Sequence, residues 1–112
     1  MWTPLFPKGN RMTRSRRKTM TTAEVRELLV TNPRARLIDV RDPGEFAAAH
    51  IPGSYNVPLN LLQDHGIESR AEHGDPVVLV CRSGMRAGQA HSVLDGAGLN
   101  DVSVLDGGLR GW

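Results

Sequence analysis

A chain of 112 residues and 12.3 kDa is enough for one compact domain and too short for two ordinary ones, and its 39% hydrophobic and 23% charged residues exclude wholesale disorder. No window approaches the roughly 18 apolar residues of a membrane-spanning helix. One cysteine and four histidines exclude an internal disulfide and offer no zinc-finger spacing, while 4% aromatic residues are too few for a base-stacking platform.

The net charge of +2 conceals a division. Lys8, Arg11, Arg14, Arg16, Arg17 and Lys18 precede any acid, whereas from Glu24 onward eight arginines face twelve acids, a net of −4. Residues 1–19 contain Pro4, Pro7 and Gly9 and lack a hydrophobic period, so a flexible basic tail is expected there, with the folded domain over residues 20–112. Such a tail permits weak attraction to nucleic acid or anionic lipid, but nothing marks a specific nucleic-acid partner. No apolar stretch follows the charges as in a secretory signal, and the expected location is the cytoplasm.

Structure is expected to begin at Thr21. Thr21 and Glu24 have capping-box spacing, and Val25, Leu28 and Leu29 fall on one helical face until Asn32-Pro33 ends the helix. Leu37-Ile38-Asp39-Val40 reads as a buried strand. Asp42, Pro43 and Glu45 have the spacing of a second helix start, with Glu45 as a cap rather than a base. Ile51-Pro52-Gly53 breaks that helix, Tyr55-Asn56-Val57 reads as a brief strand, and residues 59–73 as a helix interrupted at Gly66. Pro76-Val77-Val78-Leu79-Val80 carries the strongest strand signal. The six residues Cys81 to Arg86 follow, and then a helix turns Ala87, Ala90, Val93, Leu94 and Ala97 inward, with Gly98 as its cap. Val102, Val104 and Leu105 form a last strand before Gly107-Gly108. Strands alternating with helices predict a mostly parallel central sheet in an α/β sandwich.

Ligands of open α/β sheets bind beyond the carboxyl ends of strands, which is where Cys81 lies. It also precedes a helix, where free backbone N–H groups and the dipole favour an anion. The dipole contributes up to ~2 kcal/mol and each N–H bond to a charged group about 1.5–3 kcal/mol. Two aimed amides and the dipole thus suffice to favour a thiolate. Asp39 and Arg41 are read as alternating along a strand end, so that only one of them faces this loop. His50 is read as a turn residue, and His65, His73 and His91 as exposed without a convergent pattern.

The stretches Leu37-Ile-Asp-Val-Arg-Asp-Pro-Gly-Glu-Phe46, His50-Ile-Pro-Gly53, Asn56-Val-Pro58, Cys81-Arg-Ser-Gly-Met-Arg-Ala87 and Leu105-Asp-Gly-Gly108 with Trp112 resemble a single-domain rhodanese. They occur in that family's order and span roughly residues 20–112. The resemblance implies a rhodanese-like three-layer sandwich and a thiosulfate sulfurtransferase needing no cofactor or metal. Its cysteine, matched by Cys81, accepts a sulfane sulfur as a persulfide. The loop of Arg82, Ser83, Gly84, Met85 and Arg86 cradles that persulfide with backbone amides. Asp39 and Arg41 are placed near the site, as a buried pair or a donor-positioning group. The implied partners are a small sulfur donor such as thiosulfate and an acceptor that is cyanide, a thiol or a sulfur-relay protein. Many relatives continue past the position of Trp112, so Trp112 is expected to be partly exposed or available to a partner.

The residues suit that chemistry. A two-step sulfur transfer needs a thiolate that attacks a sulfane sulfur and later leaves. Gly84 lets successive N–H groups converge into an anion-binding nest. Arg86, at the first helical turn, is the candidate for holding an anionic donor, and Arg82 is left open between that role and solvent. Two other readings use the same scaffold. A phosphatase or arsenate reductase needs a Cys-x5-Arg loop, but here arginine falls one position earlier. A non-catalytic module would only present a persulfide or dock a partner.

Overall fold

Val77-Val78-Leu79-Val80 is apolar at every position, so as a strand it needs cover on both faces of its sheet. The computed structural model, which describes residues 18–67, 70–72, 74–96 and 101–112, provides that cover. The expectations for residues 1–17, His73, Ala97 and Gly98 lie outside the described residues.

Five strands, β1 (Lys18–Met20), β2 (Arg36–Asp39), β3 (Tyr55–Asn56), β4 (Val77–Val80) and β5 (Val102–Leu105), form one sheet in the order β1-β5-β4-β2-β3. Every pairing is parallel. Between them run helices α1 (Thr22–Thr31), α2 (Pro43–Ala48), α3 (Leu59–His65) and α4 (Met85–Gly96), and a 3-10 turn (Gly108–Gly111) follows β5. Parallel strands require such crossovers, and the crossovers cover the sheet.

Alternation along β4 divides the core. Val77 and Leu79 join Leu62 of α3 and Ala87, Ala90 and Leu94 of α4 on one face. Val78 and Val80 join Val25 of α1, with Leu109 and Trp112 packed against them, on the other. Register brings the strand ends level: Asp39 lies beside Val80 in β4 and beside Asn56 in β3. Beyond these residues the chain leaves the sheet, and the candidate site lies there.

Local chemistry explains the elements that follow the sequence closely. Thr21 accepts from the Glu24 amide at 3.1 Å and the Glu24 carboxylate accepts from the Thr21 amide at 2.8 Å, completing the capping box. Gly66, at φ 73°, ends α3. Two expectations need correction. Lys18 and Thr19, assigned to the tail, belong to β1, where Lys18 pairs with Ser103 and Thr19 with Val104. A three-residue edge strand carries too little alternation to be read, and its ladder partner is remote in sequence. His91, expected exposed, is only 5% exposed. It follows Ala87 by four residues and precedes Leu94 by three, so helical period places it on the inward stripe of α4.

Candidate active site

Val77, Leu79 and Cys81 share one face of the chain leaving β4, so Cys81 enters the core side by side with Ala87 and is 1% exposed. Its Sγ accepts a hydrogen bond from the Gly84 amide at 2.8 Å and a longer one from the Ala87 amide at 3.5 Å. Both donors belong to the turn that opens α4, whose first amides have no carbonyl partner within the helix. The curl depends on Gly84, at φ 107°, a conformation that side-chain-bearing residues avoid. Arg82, Ser83 and Met85 project outward from the loop and are exposed.

The 3-10 turn after β5 braces this loop from outside. The Leu109 amide donates to the Cys81 carbonyl at 2.9 Å and the Arg110 amide to the Arg82 carbonyl at 3.4 Å. Gly108, at φ 61°, lies so close that a Cβ there would collide with both carbonyl oxygens. Paired glycines after an apolar strand signalled a turn, but not which backbone that turn would touch. The contact of Gly108, Leu109 and Arg110 with the loop was therefore missed in the sequence.

Two ion pairs flank the loop. Asp39 and Arg41 are both buried. Asp39 Oδ1 accepts from the Arg41 amide and Nε at 3.0 Å, and Oδ2 accepts from the guanidinium NH2 group at 2.9 Å. Arg41 also donates to the Ala49 carbonyl at 2.6 Å. The expectation that only one of the two faces the site is corrected: residues two apart in extended chain share a side, and here they grip each other. Asn56, from the neighbouring β3, donates to the carbonyls of Asp39 and Arg41 at 3.0 and 2.9 Å, fixing the backbone on which the pair stands.

Glu45 performs two tasks. It accepts from the Asp42 amide at 3.0 Å, as the helix-cap reading expects, and it grips Arg86 in a two-pronged pair at 2.8 and 3.2 Å. The Arg86 guanidinium, helped by the Asp42 amide, pulls the Glu45 carboxyl down to about 2. Glu45 in turn raises Arg86 above its ordinary value. Arg86, expected to hold an anionic donor, thus already has a carboxylate partner.

A groove of about 530 Å³ opens beside the loop, reaching it through Arg41, Glu45 and Arg82. Ala48, Ala49, Ile51, Pro52, Leu109 and Trp112 give it mainly apolar walls, and His50 and Arg110 complete the lining. His50 stacks on Phe46 at 3.8 Å and contacts the Phe46 carbonyl through Nδ1 at 2.7 Å, a helix-end arrangement. His65 is exposed. Trp112 is half-buried, with the Arg26 guanidinium 4.1 Å over its ring. Among the described residues no three His, Cys, Asp or Glu side chains converge on a metal position, and no helix is long and apolar enough to cross a membrane.

Comparison with known proteins gives this geometry a family. The Rhodanese-like domain family matches residues 21–112. The uncharacterized protein YqhL of Bacillus subtilis is 38% identical over 95 residues, covering 85% of this chain and 71% of its own. Thiosulfate sulfurtransferase GlpE of Pseudomonas syringae is 38% identical over 78 residues, covering 70% and 72%. The structure of the human single-domain sulfurtransferase TSTD1 superposes with a TM-score of 0.75 at 30% identity, covering 84% of this chain and 93% of that one. Other curated relatives are longer, and the chain spans as little as 24% of them. A cysteine loop at the carboxyl end of a five-stranded parallel sheet, the matching motifs and these likenesses agree: the chain belongs to the rhodanese-like family.

Proposed function

We propose that this protein is a sulfurtransferase that carries a sulfane sulfur as a persulfide on Cys81, with thiosulfate as donor and a thiol or cyanide as acceptor. The observation that carries the reading is the pair of amides, Gly84 and Ala87, aimed at Cys81 Sγ. In the first step the Cys81 thiolate attacks the outer sulfur of thiosulfate. A new S–S bond forms, the old one breaks, and its electron pair departs with sulfite. Cys81 then ends in a persulfide anion. In the second step an acceptor thiolate attacks the terminal sulfur and leaves as its own persulfide, regenerating the Cys81 thiolate. With cyanide the product is thiocyanate. No net proton transfer is needed, which suits a loop of N–H donors without an imidazole.

Amides that stabilise the thiolate also lower its barrier as a leaving group in the second step. Arg86 adds positive charge without leaving the pair with Glu45. GlpE relatives named thiosulfate sulfurtransferase support the choice of donor. Intact-mass analysis after thiosulfate treatment tests the reading without an acceptor. A gain of one sulfur atom, reversed by cyanide or dithiothreitol and absent in Cys81→Ser, is expected. An unchanged wild-type mass with several sulfane donors would overturn it.

A further inference from the structure

The arginines around the loop are not equivalent. Arg41 is engaged by Asp39 and Arg86 by Glu45, whereas Arg82 and Arg110 make no ion pair among the described residues. Both line the apolar-walled groove, and the hydrogen bond from the Arg110 amide to the Arg82 carbonyl sets their backbones side by side. We infer that Arg82 and Arg110 act as a guanidinium pair that selects donors by charge, favouring a dianion over a monoanion. The inference rests on the sulfur-transfer reading and adds to it a specificity residue, Arg110, from outside the cysteine loop.

The argument is one of charge and place. Two like charges on neighbouring backbones, neither in an ion pair among the described residues, create a positive potential, and low-dielectric walls focus it instead of dissipating it. An anion entering the groove is the group that relieves their repulsion. Arg82 belongs to the same loop as Cys81, so an anion held in the groove is held against the loop that carries the thiol. Guanidinium forks match the oxygens of a sulfonate-type group. The pair depends on the Gly108 turn, which seats the backbone of Arg110 against the loop.

Thiosulfate and methanethiosulfonate deliver the same outer sulfur but differ by one negative charge, the first releasing sulfite and the second methanesulfinate. Steady-state kcat/KM for both donors, with a common acceptor thiol, tests the inference in Arg82→Ala, Arg110→Ala, Arg110→Lys and the double alanine variant. Arg110→Ala is expected to lower kcat/KM for thiosulfate about tenfold, mainly through KM, and that for methanethiosulfonate about threefold or less. Arg110→Lys should recover most of the thiosulfate loss, and raised salt should shrink the difference between wild type and Arg110→Ala. Equal losses for both donors, or none, in a variant with wild-type melting temperature would overturn the inference while persulfide formation on Cys81 still stands. A wild type that gains no sulfur from either donor removes the sulfur-transfer reading itself, and the inference with it.

Discussion

The two ends of the sheet treat charge differently. At the amino-terminal end, Arg34 bonds Asp75 at 2.9 Å and Glu72 at 2.8 Å, and Arg36 lies 3.9 Å from Asp75. The Glu72 amide and Arg34 together lower the Asp75 carboxyl below its ordinary value, and Asp75 raises Arg34. Each arginine there has a carboxylate. At the carboxyl-terminal end Asp39 answers Arg41 and Glu45 answers Arg86, but Arg82 and Arg110 have no acid among the described residues. Charges that serve folding saturate one another. The surplus gathered beside the Cys81 loop is what the proposed anionic donor would complete.

The largest way to break this asymmetry is at Gly108, whose turn joins Arg110 to the loop. Gly108→Ala should reduce sulfur loading of Cys81 about a hundredfold, because a Cβ displaces the Cys81 and Arg82 carbonyls and small misplacements near a reacting atom cost that much. Gly107→Ala is the control: its φ of 75° carries the usual penalty of about 1–2 kcal/mol, but its Cβ meets open space. Loading rates after thiosulfate addition check both, and equal losses would show that conformation, not collision, matters.

Next comes the buried pair. Asp39→Asn leaves the Arg41 charge buried without a counterion and is expected to cost about 3–5 kcal/mol in urea unfolding. Asp75→Asn, at the other end, should cost less, because its partner Arg34 is half exposed and water replaces the lost contact. The reverse order would mean that the amino-terminal cluster is the true anchor.

The smallest effect is on the Glu45–Arg86 pair, whose side chains are each about one third exposed. Glu45 is depressed in the folded protein, from 4.5 to about 2, so its contribution is complete above the unfolded value and is lost as pH falls through the folded one. The melting-temperature gap between wild type and Glu45→Gln should be constant above about pH 5 and shrink between about 4.5 and 2. A gap that persists at pH 2 would assign the pair no ionic role.

Elements whose signals are local were legible before the structure. The β4 run, the Thr21–Glu24 box and the break at Gly66 each depend on residues a few positions apart. The Cys81 loop was legible for the same reason, since strand, glycine and helix start are contiguous. What eluded the sequence joins distant segments. Glu45 meets Arg86 across 41 positions, and Gly108 meets Arg82 only because β4 and β5 are neighbours in a particular register. β1 was missed because three residues define no period. His91 shows another failure: a polar side chain on an apolar stripe reads as exposed by type and buried by position, and position prevailed.

The pairing of β1 with β5 bears on how the chain is made. Lys18–Met20 leaves the ribosome ahead of every other described strand, yet its ladder partner, Ser103–Leu105, lies in the last of the described strands to emerge. β4 likewise lacks one neighbour until β5 arrives. Closing such long loops costs entropy before any parallel contact rewards it. A nascent chain therefore carries an unfinished sheet with two exposed ladders until β5 emerges, and the Cys81 loop acquires its outer brace only after the Gly108 turn has emerged. Assembly of the Cys81 loop is in this way coupled to translation of β5 and the turn behind it, so a chain stalled before them holds Cys81 without that brace.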